Sequence, residues 1–308
     1  MDRHGPEARP FVSVIVPVYN DPSGITACVG ALLRQTYPAN AYEIIVADNG
    51  SADKTRAVAE RIRSECPRVR VVAEDRIRSS YAARNRGLRE ARGRILGFTD
   101  ADCSPAPGWI EAGVRALVDR AVGAGAGRIV VTYRSERPNA CEYWDSASHF
   151  DQQWYVERHF GATANLFVRA EVFERCGPFR ADLFSGGDRE LCKRLQVAGE
   201  QLTYVADAVV THPARATLRS AFQKSLRLAL AHKSLHSLGV IPSRWDCVNK
   251  MRSWRCPRPR DWTGSVPWRV RAAATLLHNL NVWLRAGVCL GQGLASERAA
   301  PSQRTAKQ

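Results

Sequence analysis

The sequence predicts an α/β fold in which helices flank a mainly parallel central sheet. Short, apolar, β-branched runs recur at 11–18, 42–47, 69–73 and 94–99, as in strands buried on both faces. Segments with helical spacing separate these runs, and such alternation is typical of a parallel sheet. The fourth run ends in polar residues, at the strand end where open α/β sheets bind ligands.

The remaining elements follow the same logic of periodicity and breakers. Predicted helices cover 25–35, a segment after Ser51, 79–92, 109–120, 170–176, 188–198 and 216–238, and further strands cover 128–133, 161–168, 202–205 and 208–211. The glycines at 123–127 predict a flexible hinge. An aromatic-rich segment, 139–159, predicts either a pocket lining or a loose surface helix with buried rings.

The last third of the chain has a different composition. The net charge is +15, and after His212 there are 17 Lys+Arg and 3 Asp+Glu, against 28 and 27 before it. Five of the eight tryptophans also lie there: Trp245, Trp254, Trp262, Trp268 and Trp283. Such an asymmetry needs an acidic partner, either a membrane surface or a nucleic acid.

Within this basic region, residues 241–268 are Pro-rich and predict an irregular connector. Residues 270–294 are apolar but too polar for a transmembrane span, because the run is interrupted by Arg271, His278, Asn279, Asn281 and Arg285. A surface-lying amphipathic helix fits better, and 297–308 predict a disordered tail.

Cysteine usage and the N-terminus indicate a cytoplasmic protein. The nine cysteines are dispersed and include no Cys-x-x-Cys pair, as expected of reduced thiols. Residues 1–10 are charged and lack the apolar core of a signal peptide, so we expect a flexible N-terminus and no secretion.

The fourth strand is followed by Asp100-Ala101-Asp102. Alternate residues of a strand share a face, so both carboxylates would point the same way. Two hard oxygen donors suit Mg²⁺ or Mn²⁺, which could bridge to a diphosphate. A solvated turn explains the same tripeptide equally well.

Four motifs in order resemble the family 2 glycosyltransferases of the GT-A fold. They are Val14-Ile15-Val16-Pro17-Val18-Tyr19-Asn20, Asp48-Asn49-Gly50-Ser51, Ala83-Arg84-Asn85-Arg86-Gly87 and Asp100-Ala101-Asp102. The resemblance covers about 11–235 and implies a GT-A domain over 11–238. Its nucleotide-sugar half would be 11–102 and its acceptor half 103–238, with 239–308 as a basic, Trp-rich appendage.

The resemblance implies a nucleotide-sugar donor, most often a UDP-sugar. Pro17, Tyr19 and Asn20 would pack around the base and ribose, and Asp48 would accept a hydrogen bond from a base N–H. Arg84 would bind the diphosphate, since a guanidinium matches phosphate oxygens. The alternatives are a turn-forming or helix-capping Asp48 and a solvated Arg84.

The resemblance also implies a metal site. Asp100 would contact the ribose and the metal, Asp102 would be the direct ligand, and His212 would complete the site for Mn²⁺ or Mg²⁺. A purely structural His212 is the alternative.

The catalytic base is expected in Ser185-Gly186-Gly187-Asp188, where Gly187 replaces the glutamate frequent in the family. Asp188 would lie exposed at a helix N-terminus and take the acceptor proton, with Glu190 as the second candidate. Helix capping by Asp188 is the alternative, and the two roles can coexist.

Together these features predict an inverting transfer of a sugar to an acceptor hydroxyl in cell-envelope polysaccharide or glycolipid synthesis. Residues 215–294 would attach the enzyme peripherally to the anionic cytoplasmic face of the inner membrane. Alternatively, they form a helical subdomain packed on the core.

Three other functions agree with parts of the sequence. A binding-only relative would hold the sugar nucleotide without catalysis, and a nucleic-acid-binding protein would use the basic region. We do not expect a nucleic-acid partner, because no compact recognition motif is present. A nucleotidyltransferase would carry a Gly-rich phosphate loop where this chain has Pro-Val-Tyr-Asn.

Overall fold

A computed structural model of the chain describes residues 9–241 and 266–298. The predicted flexible N-terminus, irregular connector and disordered tail lie almost wholly outside these residues. The chain divides into two compact units: residues 1–133 with 149–213, and residues 134–148 with 214–308.

The first unit is the predicted α/β fold. Its elements are β1 Val12–Val18, α1 Pro22–Leu33, β2 Tyr42–Asp48, α2 Thr55–Glu65, β3 Val69–Ala73, α3 Ser80–Glu90, β4 Ile95–Thr99, β5 Ser104–Pro105, α4 Trp109–Ala116, β6 Val122–Thr132, α6 Gln152–Val156, β7 Asn165–Arg169, α7 Ala170–Cys176, α8 Gly187–Val197 and β8 Gln201–Pro213; α5, Ala140–Ser148, belongs to the second unit. These strands form one eight-stranded sheet in the order β3-β2-β1-β4-β7-β6-β8-β5.

Parallel pairing in this sheet collects the ends of the first four strands at one edge. β1 pairs in parallel with β2 and β4, and β2 with β3, while β7 runs antiparallel between β4 and β6. The carboxyl ends of β1–β4 therefore lie side by side, and the polar motifs that follow them meet there.

Two sequence-based predictions about the second half are wrong. Residues 123–127 form no hinge but lie inside β6, and the strands expected at 202–205 and 208–211 form the single strand β8. A Cβ on Gly127 would lie only 2.4 Å from the Ala208 carbonyl oxygen and from the Asn165 side chain. Glycine serves here for close approach of strands rather than for flexibility.

Asn165 joins β6, β7 and β8 behind the site. Its amide nitrogen donates to the carbonyl oxygens of Arg128 and Ala208, and its oxygen accepts from Trp109 Nε1, all at 2.8 Å. Because Asn165 is fully buried, these bonds fix the end of β8, which carries His212.

The second unit is helical in the described residues. It contains α5, α9 at Leu218–Ser237 and α10 at Trp268–Arg298, which confirms the helices predicted over 216–238 and 270–294. Its apolar core includes Tyr143, Trp144, Ala221 and Ala274. Within the described ranges, no helix combines the length and apolar content needed to cross a bilayer.

A buried charge cluster also lies in the second unit. Asp145 is fully buried; its Oδ2 accepts from the Arg215 backbone N–H at 3.0 Å and its Oδ1 lies 3.4 Å from Lys224 Nζ. Burial is the main cause that lowers the pKa of Lys224 to about 7, and the Asp145 charge opposes it.

Candidate active site

Asp48 ends β2 as a fully buried carboxylate. Its Oδ2 accepts from the Ser51 backbone N–H at 3.3 Å. Its Oδ1 is buried, and the described part of the chain supplies no hydrogen-bond partner for it. An unpaired buried acceptor is costly, so this oxygen is suited to a donor N–H of a ligand.

Asn20 ties the loop after β1 to the loop after β2. Its φ of 50° is left-handed, which allows its side-chain oxygen to accept from the Ala52 N–H at 2.8 Å while its own N–H donates to Ser51 Oγ at 3.0 Å. Tyr19 beside it is 46% exposed, and its hydroxyl accepts from Arg78 at 2.8 Å.

Pro17 is buried inside β1, opposite Ala47 of β2. The loop after β2 is also held by side-chain hydrogen bonds, because Asn49 Nδ2 donates to the carbonyl oxygens of Glu74 and Ile77. The loops after β1, β2 and β3 are thus joined into one platform beside Asp48.

The motif Ala83-Arg84-Asn85-Arg86-Gly87 on α3 has three separate tasks. Gly87 packs on β1, where an added Cβ would lie 2.6 Å from Ile15. Asn85 forms a pair of hydrogen bonds to the backbone of Phe179, at 2.7 and 2.9 Å, and so holds the loop that leads to α8. Arg84 is left to project towards the sheet edge.

Arg84 joins this helix to Asp100. The Arg84 side chain is 3% exposed, and its Nη2 donates to Asp100 Oδ1 at 2.5 Å. Its Nε is buried without an acceptor among the described residues. A buried guanidinium with an unsatisfied N–H is suited to a phosphate oxygen.

Asp102 and His212, 110 residues apart, meet across the sheet edge. His212 Nε2 lies 3.5 Å from Asp102 Oδ2, while His212 Nδ1 lies 2.8 Å from the Pro213 carbonyl oxygen. The carbonyl can only accept, so Nδ1 is the donor in this contact and Nε2 is the ring nitrogen turned towards the carboxylate. An imidazole nitrogen and a carboxylate oxygen that face each other are ligands suited to a divalent cation.

Cys103 is a neighbour of this pair that the sequence analysis missed. Donor atoms of Asp102, Cys103 and His212 all lie within 4.8 Å of one another. Burial, and then the charges of Asp100 and Asp102, raise the pKa of the Cys103 thiol well above its ordinary value. The thiol is therefore protonated and faces Asp102 Oδ1 at 3.8 Å.

Asp188 lies in the first turn of α8, after Gly186 in a left-handed conformation (φ 82°). Contrary to expectation it is half-buried, not exposed. Burial raises the pKa of Asp188, the charge of Arg84 opposes this rise, and the charge of Asp100 adds to it. Asp188 thus shares one electrostatic cluster with the Arg84–Asp100 pair.

Tyr81 is a second residue that sequence reasoning missed. A Cβ on Gly187 would lie 3.0 Å from three carbons of the Tyr81 ring, so the ring occupies the space beside a side chain at 187. Burial raises the pKa of Tyr81, the backbone N–H groups of Gly187 and Asp188 oppose this rise, and the Arg84 guanidinium lies 5.7 Å from the Tyr81 ring centroid. In the sequence, the only sign of this arrangement is that Gly187 replaces the glutamate frequent in the family.

Glu190, the second candidate base, has a structural role instead. It is buried, and both its oxygens accept from Arg194 at 2.8 Å. Arg194 in turn donates to the carbonyl oxygens of Gly177 and Pro178 before α8. Of the two candidate bases on α8, Asp188 is therefore the one without an arginine ion pair among the described residues.

Aromatic residues of 150–160 border the same region. The Phe150 ring lies 4.3 Å from the His212 ring, and Arg189 lies 5.2 Å from the Phe160 ring. Burial raises the pKa of Tyr155 to about 12, with a further contribution from the Asp188 charge. The pocket lining predicted for 139–159 stays a prediction, and two of its aromatics, Tyr143 and Trp144, are instead buried rings of the helix α5.

Comparison with solved structures shows the GT-A fold. The mannosyltransferase PcManGT from Pyrobaculum calidifontis, solved with GDP-Man and Mn²⁺, gives a TM-score of 0.59 at 22% identity, over 96% of this chain and 77% of that one. TarS 1–349 of S. aureus with UDP-GlcNAc gives 0.54 at 16% identity, over 73% of this chain and 66% of TarS.

Sequence comparison then gives the family. A model described as glycosyl transferase family 2 matches residues 13–177. Glycosyltransferase AglE of Haloferax volcanii is 41% identical over 210 residues, 67% of this chain and 68% of AglE. The pre-mycofactocin glycosyltransferase of Mycobacterium tuberculosis is 31% identical over 222 residues, 70% of this chain but only 45% of that protein. The chain belongs to glycosyl transferase family 2.

Proposed function

We propose that this glycosyltransferase moves a hexose from a nucleotide-sugar donor to an acceptor hydroxyl, with inversion at the anomeric carbon. The observation that carries the proposal is the cluster of Arg84, Asp100 and Asp188. It joins a phosphate-binding cation from the donor half to a carboxylate of the acceptor half within one electrostatic environment.

In the proposed reaction, Asp188 takes the proton of the acceptor hydroxyl. The acceptor oxygen forms a bond to the anomeric carbon as the bond from that carbon to the donor phosphate oxygen breaks. The electron pair leaves on the nucleoside diphosphate, and Arg84 stabilises its charge. The raised pKa of Asp188 suits a proton acceptor, because a base works best near the working pH.

Asp48 would recognise the base through its unpaired Oδ1, on a platform that includes Pro17, Tyr19 and Asn20. The two solved structures described above contain GDP-Man and UDP-GlcNAc, and we propose a UDP-sugar for this chain. The lone oxygen acceptor matches the single N–H of uracil.

Asp102 and His212 would hold Mn²⁺ or Mg²⁺, with Asp100 beside them. When bound, the ion offsets the negative charge that develops on the diphosphate leaving group. The donor set of a carboxylate oxygen and an imidazole nitrogen is compatible with Mn²⁺ in particular.

We further propose a glycan or lipid-linked acceptor, and a role in cell-envelope polysaccharide or glycolipid synthesis at the cytoplasmic face of the inner membrane. The support for the membrane role is the charge surplus after His212, which favours an anionic surface. The domain boundaries 11–238 and 239–308 stay a prediction, whereas the second compact unit of the structure already contains residues 214–238.

The test is a thermal-shift panel of UDP- and GDP-sugars with Mn²⁺ or Mg²⁺, followed by product analysis with the best donor. We expect a metal-dependent rise in Tm with a UDP-sugar, and release of UDP when an acceptor is added. Absence of a shift with every nucleotide sugar, in the presence of either metal, would refute the proposal.

A further inference from the structure

α10 exposes its large apolar side chains, while its buried face combines the small residues Ala274, Ala286 and Cys289 with two asparagines. Asn279 and Asn281 are buried, at 4% and 8% exposure, whereas Leu276, Leu280 and Trp283 are about half exposed, at 51%, 48% and 56%. A helix on a water-exposed surface buries its apolar residues and exposes its polar ones. This face therefore suits an apolar environment.

The exposed face is continuous along the helix. Leu276, Leu280, Trp283 and Leu290 are three, four or seven residues apart, so they share one side of α10. Between Arg271 and Glu297 the basic side chains of this helix are His278 and Arg285, and both are only partly exposed. The face thus offers a large apolar patch with no charge at its centre.

Cations flank the patch, and acids are absent from both long helices of this unit until Glu297. Arg269 and Arg271 are exposed at the start of α10, next to Trp268, which is 73% exposed. α9 has an exposed apolar row as well, at Leu218, Phe222 and Leu226, with Arg219, Arg227 and Lys233 exposed on the same helix.

We propose that the exposed face of α10, formed by Leu276, Leu280, Trp283 and Leu290, docks onto an anionic lipid bilayer. Apolar side chains and tryptophan would enter the interface, and the flanking arginines would lie at the level of the headgroups. A second copy of this chain fits less well, because two such surfaces would bring like charges together.

This inference deepens the proposed function by assigning the membrane contact to one helix face. It rests on the proposed function for its purpose, which is to bring the enzyme to a lipid-linked acceptor. Binding is measured without donor, metal or acceptor, so its failure is distinguishable from failure of sugar transfer.

The experiment is flotation of the full chain with phosphatidylcholine vesicles, with and without phosphatidylglycerol, at low and high salt. The variant is Leu280→Glu combined with Trp283→Glu. The matched control is Val118→Glu, which puts the same side chain on an exposed apolar position of the first unit. Both changes are at exposed positions, and circular dichroism checks that each variant folds.

We expect the wild type and Val118→Glu to float with phosphatidylglycerol vesicles at low salt. The double variant should lose at least about tenfold in partition, and Arg269→Gln with Arg271→Gln should weaken binding to the anionic vesicles only. If the Leu280→Glu, Trp283→Glu variant does not fold, the binding of the Arg269→Gln, Arg271→Gln variant to anionic vesicles tests the proposal instead.

Three results would overturn the inference. The wild type could fail to float at low salt, or the double variant could float as well as Val118→Glu. Alternatively, sizing by light scattering could show a wild-type dimer that the double variant converts to a monomer without a change in flotation, which would assign the face to a second copy.

Discussion

Asp48 gives the sharpest prediction, because its two oxygens are in different situations. Oδ2 accepts from the Ser51 N–H, whereas Oδ1 is buried and unpaired within the described residues. In Asp48→Asn the carboxamide can keep its oxygen on Ser51. It then presents an NH₂ group at the position of Oδ1, where a nucleobase N–H would meet a donor.

Two effects of opposite sign follow. Loss of a hydrogen bond to a charged acceptor costs about 1.5–3 kcal/mol, or about 10- to 150-fold in nucleotide Kd. The nucleotide-free protein should become more stable by about 1 kcal/mol, because an unpaired buried charge is replaced by an unpaired neutral group. That corresponds to a rise in Tm of about 2 °C.

The assay is calorimetric titration with UDP and GDP, together with a thermal scan of the nucleotide-free protein. Asp207→Asn is the matched control, since Asp207 is exposed and pairs only with an exposed arginine in the described residues. If Asp48→Asn binds both nucleotides as tightly as Asp207→Asn, the role of Asp48 in base recognition is refuted.

The remaining predictions concern charge. A base must be deprotonated, so kcat/KM should be lost as the pH falls through the raised pKa of Asp188. Arg84→Gln removes a cation that lowers this pKa, so it should move the acidic limb of the pH profile to higher pH. The control Arg86→Gln should leave the acidic limb in place. His212→Ala should raise the Mn²⁺ concentration for half-maximal activity at least about tenfold, and unchanged metal dependence would exclude it as a ligand. The folded protein holds the pKa of Lys224 at about 7, below its unfolded value, so the unfolded state binds more protons above pH 7. The midpoint of urea unfolding should therefore rise with pH from about 7 towards about 10, and a wild-type slope equal to that of Lys224→Met would contradict this.

Much of the first unit is predictable from sequence because its strands are short, apolar and β-branched. The glycines of β6 misled the sequence analysis, since periodicity alone does not distinguish a hinge from a close contact such as that of Gly127 with Ala208. The mixed polarity of α10 was partly visible in the sequence, because Asn279 and Asn281 interrupt an apolar run. Which face they occupy required the packing of the second unit.

The site residues divide in the same way. Asp48 and Asp102 follow predicted strands, so their place at a common edge follows from parallel pairing. That His212 lies near Asp102, 110 residues earlier in the chain, could be predicted only from the family resemblance. The contact between Tyr81 and Gly187 was not predictable, because it depends on how α3 packs against the start of α8.

The most direct test of sugar transfer compares Asp188→Asn with Glu190→Gln, two neighbours on α8. In Asp188→Asn we expect kcat to fall at least about 100-fold while the Kd of the nucleotide sugar stays within about twofold of wild type. Glu190→Gln weakens the ion pair with Arg194, so it should lower Tm and keep kcat. Transfer by Asp188→Asn at the wild-type rate would contradict the account.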